Sequence, residues 1–253
     1  MPEVDWDERA RQGTGLQSVI DPGDRDGLKN GLIDRIQWNA IEPWLRGRKR
    51  LLDYGCGIGR FARRVLEAGV EYTGVDTSAA MIEAGVRGHT GLPARFLHAP
   101  HLPLPLADAS FDAVLSVGVL QCLQTADGSQ LRAAVADLAR VLEPGGELLM
   151  IEQASASGRH SGSVSASTSE QDYLDALEPH FEVAAQRRVR LGALSRYAGF
   201  YIRHGKWLPG SDLLRALVAR HETARATRAF GAQLTVQVYF DVAIRAVRRP
   251  GQA

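Results

Sequence analysis

Three glycines spaced two apart, following an apolar run that ends in an acid, constrain this chain most. The segment reads Leu51-Leu52-Asp53-Tyr54-Gly55-Cys56-Gly57-Ile58-Gly59-Arg60-Phe61-Ala62. It has the form of a strand, a tight turn and a helix start, the way α/β proteins build a nucleotide site. Residues without Cβ atoms adopt backbone angles closed to others and let a ligand approach the main chain. The helix that follows would turn free N–H groups and a partial positive charge toward that ligand. A turn serving only close strand–helix packing is the alternative, and the acid two residues before the first glycine argues against it.

The spacing selects among nucleotides. A dinucleotide fingerprint requires a third glycine where Arg60 stands, and no Gly-Lys-Ser/Thr follows to make a phosphate loop. Further on, Tyr72-Thr73-Gly74-Val75-Asp76 reads as a second strand ending in an acid, with Thr77-Ser78 capping a helix through Met81 and Ile82. At that distance downstream Asp76 is suited to accept two ribose hydroxyls.

The glycine segment resembles motif I of the class I S-adenosylmethionine-dependent methyltransferases, specifically the type 11/25-like bacterial small-molecule branch. Two later segments extend the resemblance over residues 49–152. Ala109-Ser110-Phe111-Asp112-Ala113-Val114-Leu115-Ser116, with Val119-Leu120-Gln121-Cys122-Leu123 after it, is similar to the family's fourth strand and following segment. Arg140 to Ile151, with Pro144-Gly145-Gly146, is similar to its helix end, turn and fifth strand. The resemblance implies S-adenosyl-L-methionine as cofactor, contacted by Asp53, Gly55, Cys56, Gly57, Gly59, Asp76, Thr77, Met81, Ala99, Ser116 and Val117. Asp53 would face the ligand's cationic end, Asp76 the ribose, and Thr77 or Met81 the adenine. Valine at Gly57 is then expected to fill ligand space and leave the fold intact.

The chain departs from the family at one place. Where an Asp-Ala pair usually meets the adenine amino group, it reads Phe96-Leu97-His98-Ala99-Pro100-His101. Adenine is left to main-chain groups near Ala99, to His98, or to apolar contact. His98 and His101 are not read as metal ligands, because Pro100 and Pro103 forbid a regular helix and no Cys or carboxylate lies close by. No metal is expected.

Acids and bases nearly balance, at 29 against 30, so nothing marks a nucleic-acid stripe and no nucleic-acid partner is expected. The basic run Arg46-Gly47-Arg48-Lys49-Arg50 reads as a solvated connector. Both cysteines, Cys56 and Cys122, fall in expected core elements and read as reduced thiols. The acidic start Met1-Pro2-Glu3-Val4-Asp5 carries no leader pattern, and the stretch from Val114 to Leu123 is too short to span a bilayer. A cytoplasmic protein without a membrane partner is expected, as a monomer or a dimer.

The pattern predicts a doubly wound, seven-stranded, mostly parallel sheet of Rossmann-like methyltransferase type, with a C-terminal antiparallel strand and a helical insertion. Residues 1–48 form an N-terminal helical segment over the cofactor site, with Leu28, Leu32, Ile33, Ile36 and Ile41 near helical spacing. Lys29, Arg35 or Trp38 on that segment would meet the methionine carboxylate, close the pocket, or simply pack on the sheet. Residues 49–253 form the main domain. Strands are expected at 50–54, 72–76, 95–98, 111–117, 147–152, Phe181 to Val189 and Leu234 to Val247, and helices at 59–68, 78–86, 129–142 and from Ser169.

Residues 191–231 separate the last two strands by far more than an ordinary loop. Their mix of Arg196, Tyr197, Tyr201, Arg203, His204 and Trp207 suits stacking on an acceptor, or else a helical cap with its aromatics inside. Gln121, His160, Tyr197, Tyr201 and His204 are the candidate acceptor contacts, with His101 at a neighbouring strand end. No catalytic base stands out. The reading is methyl transfer to a small-molecule acceptor, foremost an oxygen of a sugar or natural product. A nicotinamide-dependent oxidoreductase, a cofactor-binding protein without catalysis, and an RNA or protein methyltransferase remain as alternatives.

Overall fold

The computed structural model describes residues 4–13, 15–123, 127–155, 168–208, 210–229 and 239–250. Its centre is a seven-stranded sheet in the order β3-β2-β1-β4-β5-β7-β6. The strands are β1 (Arg50–Tyr54), β2 (Glu71–Asp76), β3 (Ala94–His98), β4 (Phe111–Val117), β5 (Leu142–Ser155), β6 (Phe181–Leu191) and β7 (Tyr239–Arg248). The first five pair in parallel, while β7 is antiparallel to both β5 and β6. Six strands therefore point one way and one runs against them.

Central strands covered on both faces need apolar side chains on both. Leu51 and Leu52 of β1 are both fully buried, and they belong to different cores on opposite faces of the sheet. On one face Leu52 and Val114 pack with α6 (Ser129–Val141) and α7 (Glu170–Leu177) through Leu138, Tyr173 and Leu177. On the other, Leu51 and Leu115 pack with α3 (Leu28–Trp44), α4 (Ala62–Glu67), α8 (Arg196–His204) and α9 (Ser211–Arg228). The remaining helices are α1 (Trp6–Gln12), α2 (Leu16–Val19) and α5 (Ala79–Gly88).

Several expected boundaries shift. The helix expected from residue 59 starts at Ala62, because Gly59 and Ala62 first close two tight turns onto Cys56 and Gly59 carbonyls. β5 is longer than the expected 147–152, since Leu142 already pairs with Phe111 and the Pro-Gly-Gly segment is carried as an irregularity within the ladder. Of the strand expected from Leu234, residues 239–248 are described and the earlier part lies outside the described residues. The insertion folds as α8, a 3-10 turn (Gly205–Trp207) and α9, packed on β6 and α3.

Candidate cofactor and acceptor site

Strand order reverses between β1 and β4, which opens a crevice beyond their C-terminal ends. The glycine turn after β1 forms one wall. Gly55 and Gly57 hold φ of +68° and +55°, in the left-handed region. A Cβ on Gly55 would stand 2.3 Å from Val119, and one on Gly57 2.7 Å from Val19. This corrects the expectation for valine at Gly57, which would strain the backbone and strike α2 as well as fill ligand space. Gly59 is closed in similarly by the Phe96 ring.

Asp76 forms the next wall. Its Oδ2 accepts the Gly57 N–H at 2.8 Å and its Oδ1 the Ser78 N–H at 2.9 Å. Burial pushes its carboxyl up, and these donors pull it back. The Thr77 N–H bonds to it as well, so of its four lone-pair directions one is left for a ligand hydroxyl. Thr77 is exposed, and its carbonyl lies 3.0 Å from His98 Nε2. Met81 is fully buried, with its sulfur 4.0 Å from where a Gly57 Cβ would stand. The Ala99 N–H, which the sequence left to adenine, donates instead to the Asp76 carbonyl at 2.9 Å.

Asp53 does not lie open to the crevice. It is buried, accepts the Tyr72 hydroxyl at 2.7 Å, and is pushed up to about 7 by burial, with Arg60 pulling the other way. Cys56 sits in the same cluster, its N–H bonded to the Val75 carbonyl and its thiol pushed up by burial. Cys122, expected in the core, is exposed, because it lies on the outer side of the 3-10 turn Leu120–Cys122.

A residue missed by the sequence reading organises the opposite wall. Glu152, near the end of β5, is fully buried. Its Oε1 accepts Ser116 Oγ at 2.8 Å and the Val119 N–H at 3.3 Å, and its Oε2 the Gln121 N–H at 3.2 Å. The Leu120 N–H also bonds to it. Glu152 is pushed up to about 7 because burial outweighs these donors. It thereby staples the segment after β4, whose Val119 lies on Gly55. The signal was present, since Met150-Ile151-Glu152 is a third apolar run ending in an acid. Ser116 is thus committed to Glu152, and half-buried Val117 follows it on β4. Gln121 is half-buried, and its side-chain oxygen accepts the Gln153 N–H at 2.7 Å.

The N-terminal helices reach the same loops. Asp7 of α1 accepts the Ser78 hydroxyl and, at 3.1 Å, the Ala80 N–H, so it caps α5 beside Asp76. Val19 of α2 rests on Gly57. Lys29 pairs with Asp21, and Trp38 is buried against Phe61 with ring centroids 6.2 Å apart. Trp38 is therefore part of the core, not a pocket closure.

The acceptor candidates divide. His101 is exposed, and His160 lies outside the described residues. Tyr201, expected to touch acceptor, is fully buried because it shares the inner stripe of α8 with Ala198, and Gly205 just past the helix end closes on its ring. Tyr197 and His204 are exposed, and their ring partners are His221 and Phe200 of the insertion itself.

Residues 52–150 match the family model described as "Methyltransferase domain". The demethylmenaquinone methyltransferase of Tropheryma whipplei (strain Twist) is 34% identical over 132 residues, covering 51% of this chain and 53% of the relative. A probable tRNA methyltransferase 9B of Bos taurus is 32% identical over 117 residues, covering 45% and 24%. The chain thus spans about half or less of the curated relatives it matches. Among solved structures, the geranyl diphosphate C-methyltransferase of Streptomyces coelicolor A3(2) superposes with a TM-score of 0.63 at 17% identity, over 98% of this chain and 99% of that one. That likeness extends the shared fold across the insertion and the last strands. With the glycine turn and the strand order in place, residues 52–150 of the chain form a class I S-adenosylmethionine-dependent methyltransferase domain.

Proposed function

We propose that the protein transfers the methyl group of S-adenosylmethionine to a small-molecule acceptor. The observation that carries this is the pairing of a left-handed glycine turn with the carboxylate that braces it, Asp76 on the Gly57 N–H, at the crevice where strand order reverses. The cofactor supplies an already activated sulfonium methyl. The chain's part is to align acceptor with methyl and exclude water. Asp76 would hold the ribose, Gly55 and Gly57 would admit the ligand to the main chain, and Glu152 would fix the wall that Val119 presents.

Residues 1–48 are proposed as the cover of this site, supported by Asp7 on α5 and Val19 on Gly57. Residues 191–231 are proposed as the insertion that adapts the common fold to its acceptor. For the acceptor we favour a natural product over a sugar, with carbon as well as oxygen open as the atom methylated, since the fold neighbour's title specifies C-methylation. A relative whose name specifies demethylmenaquinone and a fold neighbour whose title specifies geranyl diphosphate favour an apolar molecule of that class. A hydroxyl acceptor would need its proton removed. Glu152 is not assigned that task, because its oxygens already accept four donors.

Calorimetric titration tests the cofactor reading. S-adenosylhomocysteine should bind and NAD(P)H should not, and the reverse would make the protein an oxidoreductase. Asp76→Ala should weaken S-adenosylhomocysteine by about 1–3 kcal/mol, the worth of a hydrogen bond to a charged group. Undiminished affinity in a variant with a normal thermal melt would mean that the ribose is held elsewhere.

A further inference from the structure

Eight large apolar side chains are exposed among the described residues, and five of them lie on the insertion. Trp207 is the most open, at 75%, followed by Leu213 at 67%. Tyr197, Phe200 and Leu217 are each more than half exposed. They are not scattered. Tyr197 and Phe200 share the exposed stripe of α8, one position round the helix from buried Ala198 and Tyr201. Leu213, Leu217 and His221 follow one another at four-residue spacing on α9, and Tyr197 meets His221 edge-on with centroids 5.1 Å apart. That contact joins the two stripes, and Trp207 lies in the turn that links the helices.

Charge is segregated onto the same segment. Residues 196–228 hold seven Arg or Lys against two Asp or Glu, which leaves 23 against 27 in the rest of the chain. Arg203 and Arg220 are exposed, and among the described residues they make no ion pair. Aromatic and aliphatic side chains on one face, rimmed by flexible cations, are the composition that settles at the headgroup boundary of a bilayer. Anionic lipid adds about 1 kcal/mol for each nearby Lys or Arg. A second copy would bring a like-charged face against this one. RNA would stack on the aromatics but gain nothing from Leu213 and Leu217.

The position on the fold fits such a role. β6 runs parallel to β1, so its end at Leu191 lies on the sheet edge that bears the glycine turn, and α8 starts shortly beyond it. Among the described residues no helix is long and apolar enough to cross a membrane.

We propose that the outer face of α8 and α9, centred on Phe200, Trp207 and Leu217, docks the protein on an anionic lipid bilayer. This replaces the sequence expectation of no membrane partner, which rested on the lack of a spanning segment. It goes beyond the proposed reaction, and its test reads lipid binding instead of turnover.

The test is flotation of the full chain with phosphatidylcholine vesicles, with and without phosphatidylglycerol. Binding should require phosphatidylglycerol, weaken with added salt, and shift Trp207 emission to shorter wavelength. The triple variant Phe200→Ser/Trp207→Ser/Leu217→Ser should lose binding at least about tenfold while melting as the parent does. The double charge reversal Arg203→Glu/Arg220→Glu should lose a similar factor, as expected for two cations at the lipid surface. Failure of the parent to float would overturn the proposal. So would flotation that the triple variant retains, a concentration-dependent dimer abolished by that variant, or a tRNA gel shift abolished by it without lipid binding.

Discussion

Valine at Gly57 is expected to abolish S-adenosylhomocysteine binding and to lower stability together. The left-handed backbone at +55° costs a residue with a Cβ roughly 1–2 kcal/mol. The new side chain also has to displace Val19, whose Cγ1 would lie 2.7 Å from its Cβ. Together these should lower the unfolding free energy by about 2–3 kcal/mol, read from denaturant melts. The two effects separate in the double variant Gly57→Ala/Val19→Ala, which makes room on α2 but still places a methyl group over the turn. It should regain part of the stability and little of the affinity. Undiminished binding in Gly57→Val would put the cofactor somewhere else.

The second large effect is expected at Glu152. A glutamine there turns N–H donors toward the N–H groups of Leu120 and Gln121, so the segment after β4 loses its staple. S-adenosylhomocysteine affinity should fall about tenfold, since Val119 then no longer holds its place on Gly55. The pH dependence identifies the group. In the folded protein Glu152 keeps its proton up to about 7, against an ordinary value of 4.5. The native state therefore binds the extra proton between those values. Its stabilising contribution is fully present below about 4.5 and is lost as pH rises through about 7. A shift of that size corresponds to about 3 kcal/mol. Asp53 moves in the same direction, from 3.8 to about 7, so the Glu152 part is the difference between the parent and Glu152→Gln. Thermal melts across this range should show the parent declining more steeply, and identical slopes would remove Glu152 from the account.

The acids show why some of the site was legible and some was not. Asp53, Asp76 and Glu152 each close an apolar strand run, and the sequence reading singled out the two that stand in a known spacing with the glycines. What each carboxylate faces depends on groups far away in the chain. Asp76, expected on the ribose, meets the Gly57 and Ser78 N–H groups beside the glycine turn. Asp53 meets Tyr72 in the core instead of an open ligand space. Glu152 meets a loop more than thirty residues earlier, which nothing in its own neighbourhood indicates. In the same way, helical spacing separates the two stripes of α8, but it does not say which stripe the sheet will cover. Packing on α3 and α9 turned Tyr201 inward and left Phe200 outside.

The sequence by itself determined the parallel α/β order and the place of the glycine turn. Both are local properties: apolar runs of strand length, caps, and glycines whose backbone angles other residues cannot hold. Tertiary structure alone decided how that turn is walled. Val19 reaches it from the N-terminal helices and Val119 from the loop that Glu152 holds, while Asp7 caps α5 beside it. It also decided which face of the insertion meets water. These depend on contacts between distant segments, and a sheet fixes such contacts only once its strands have taken their order.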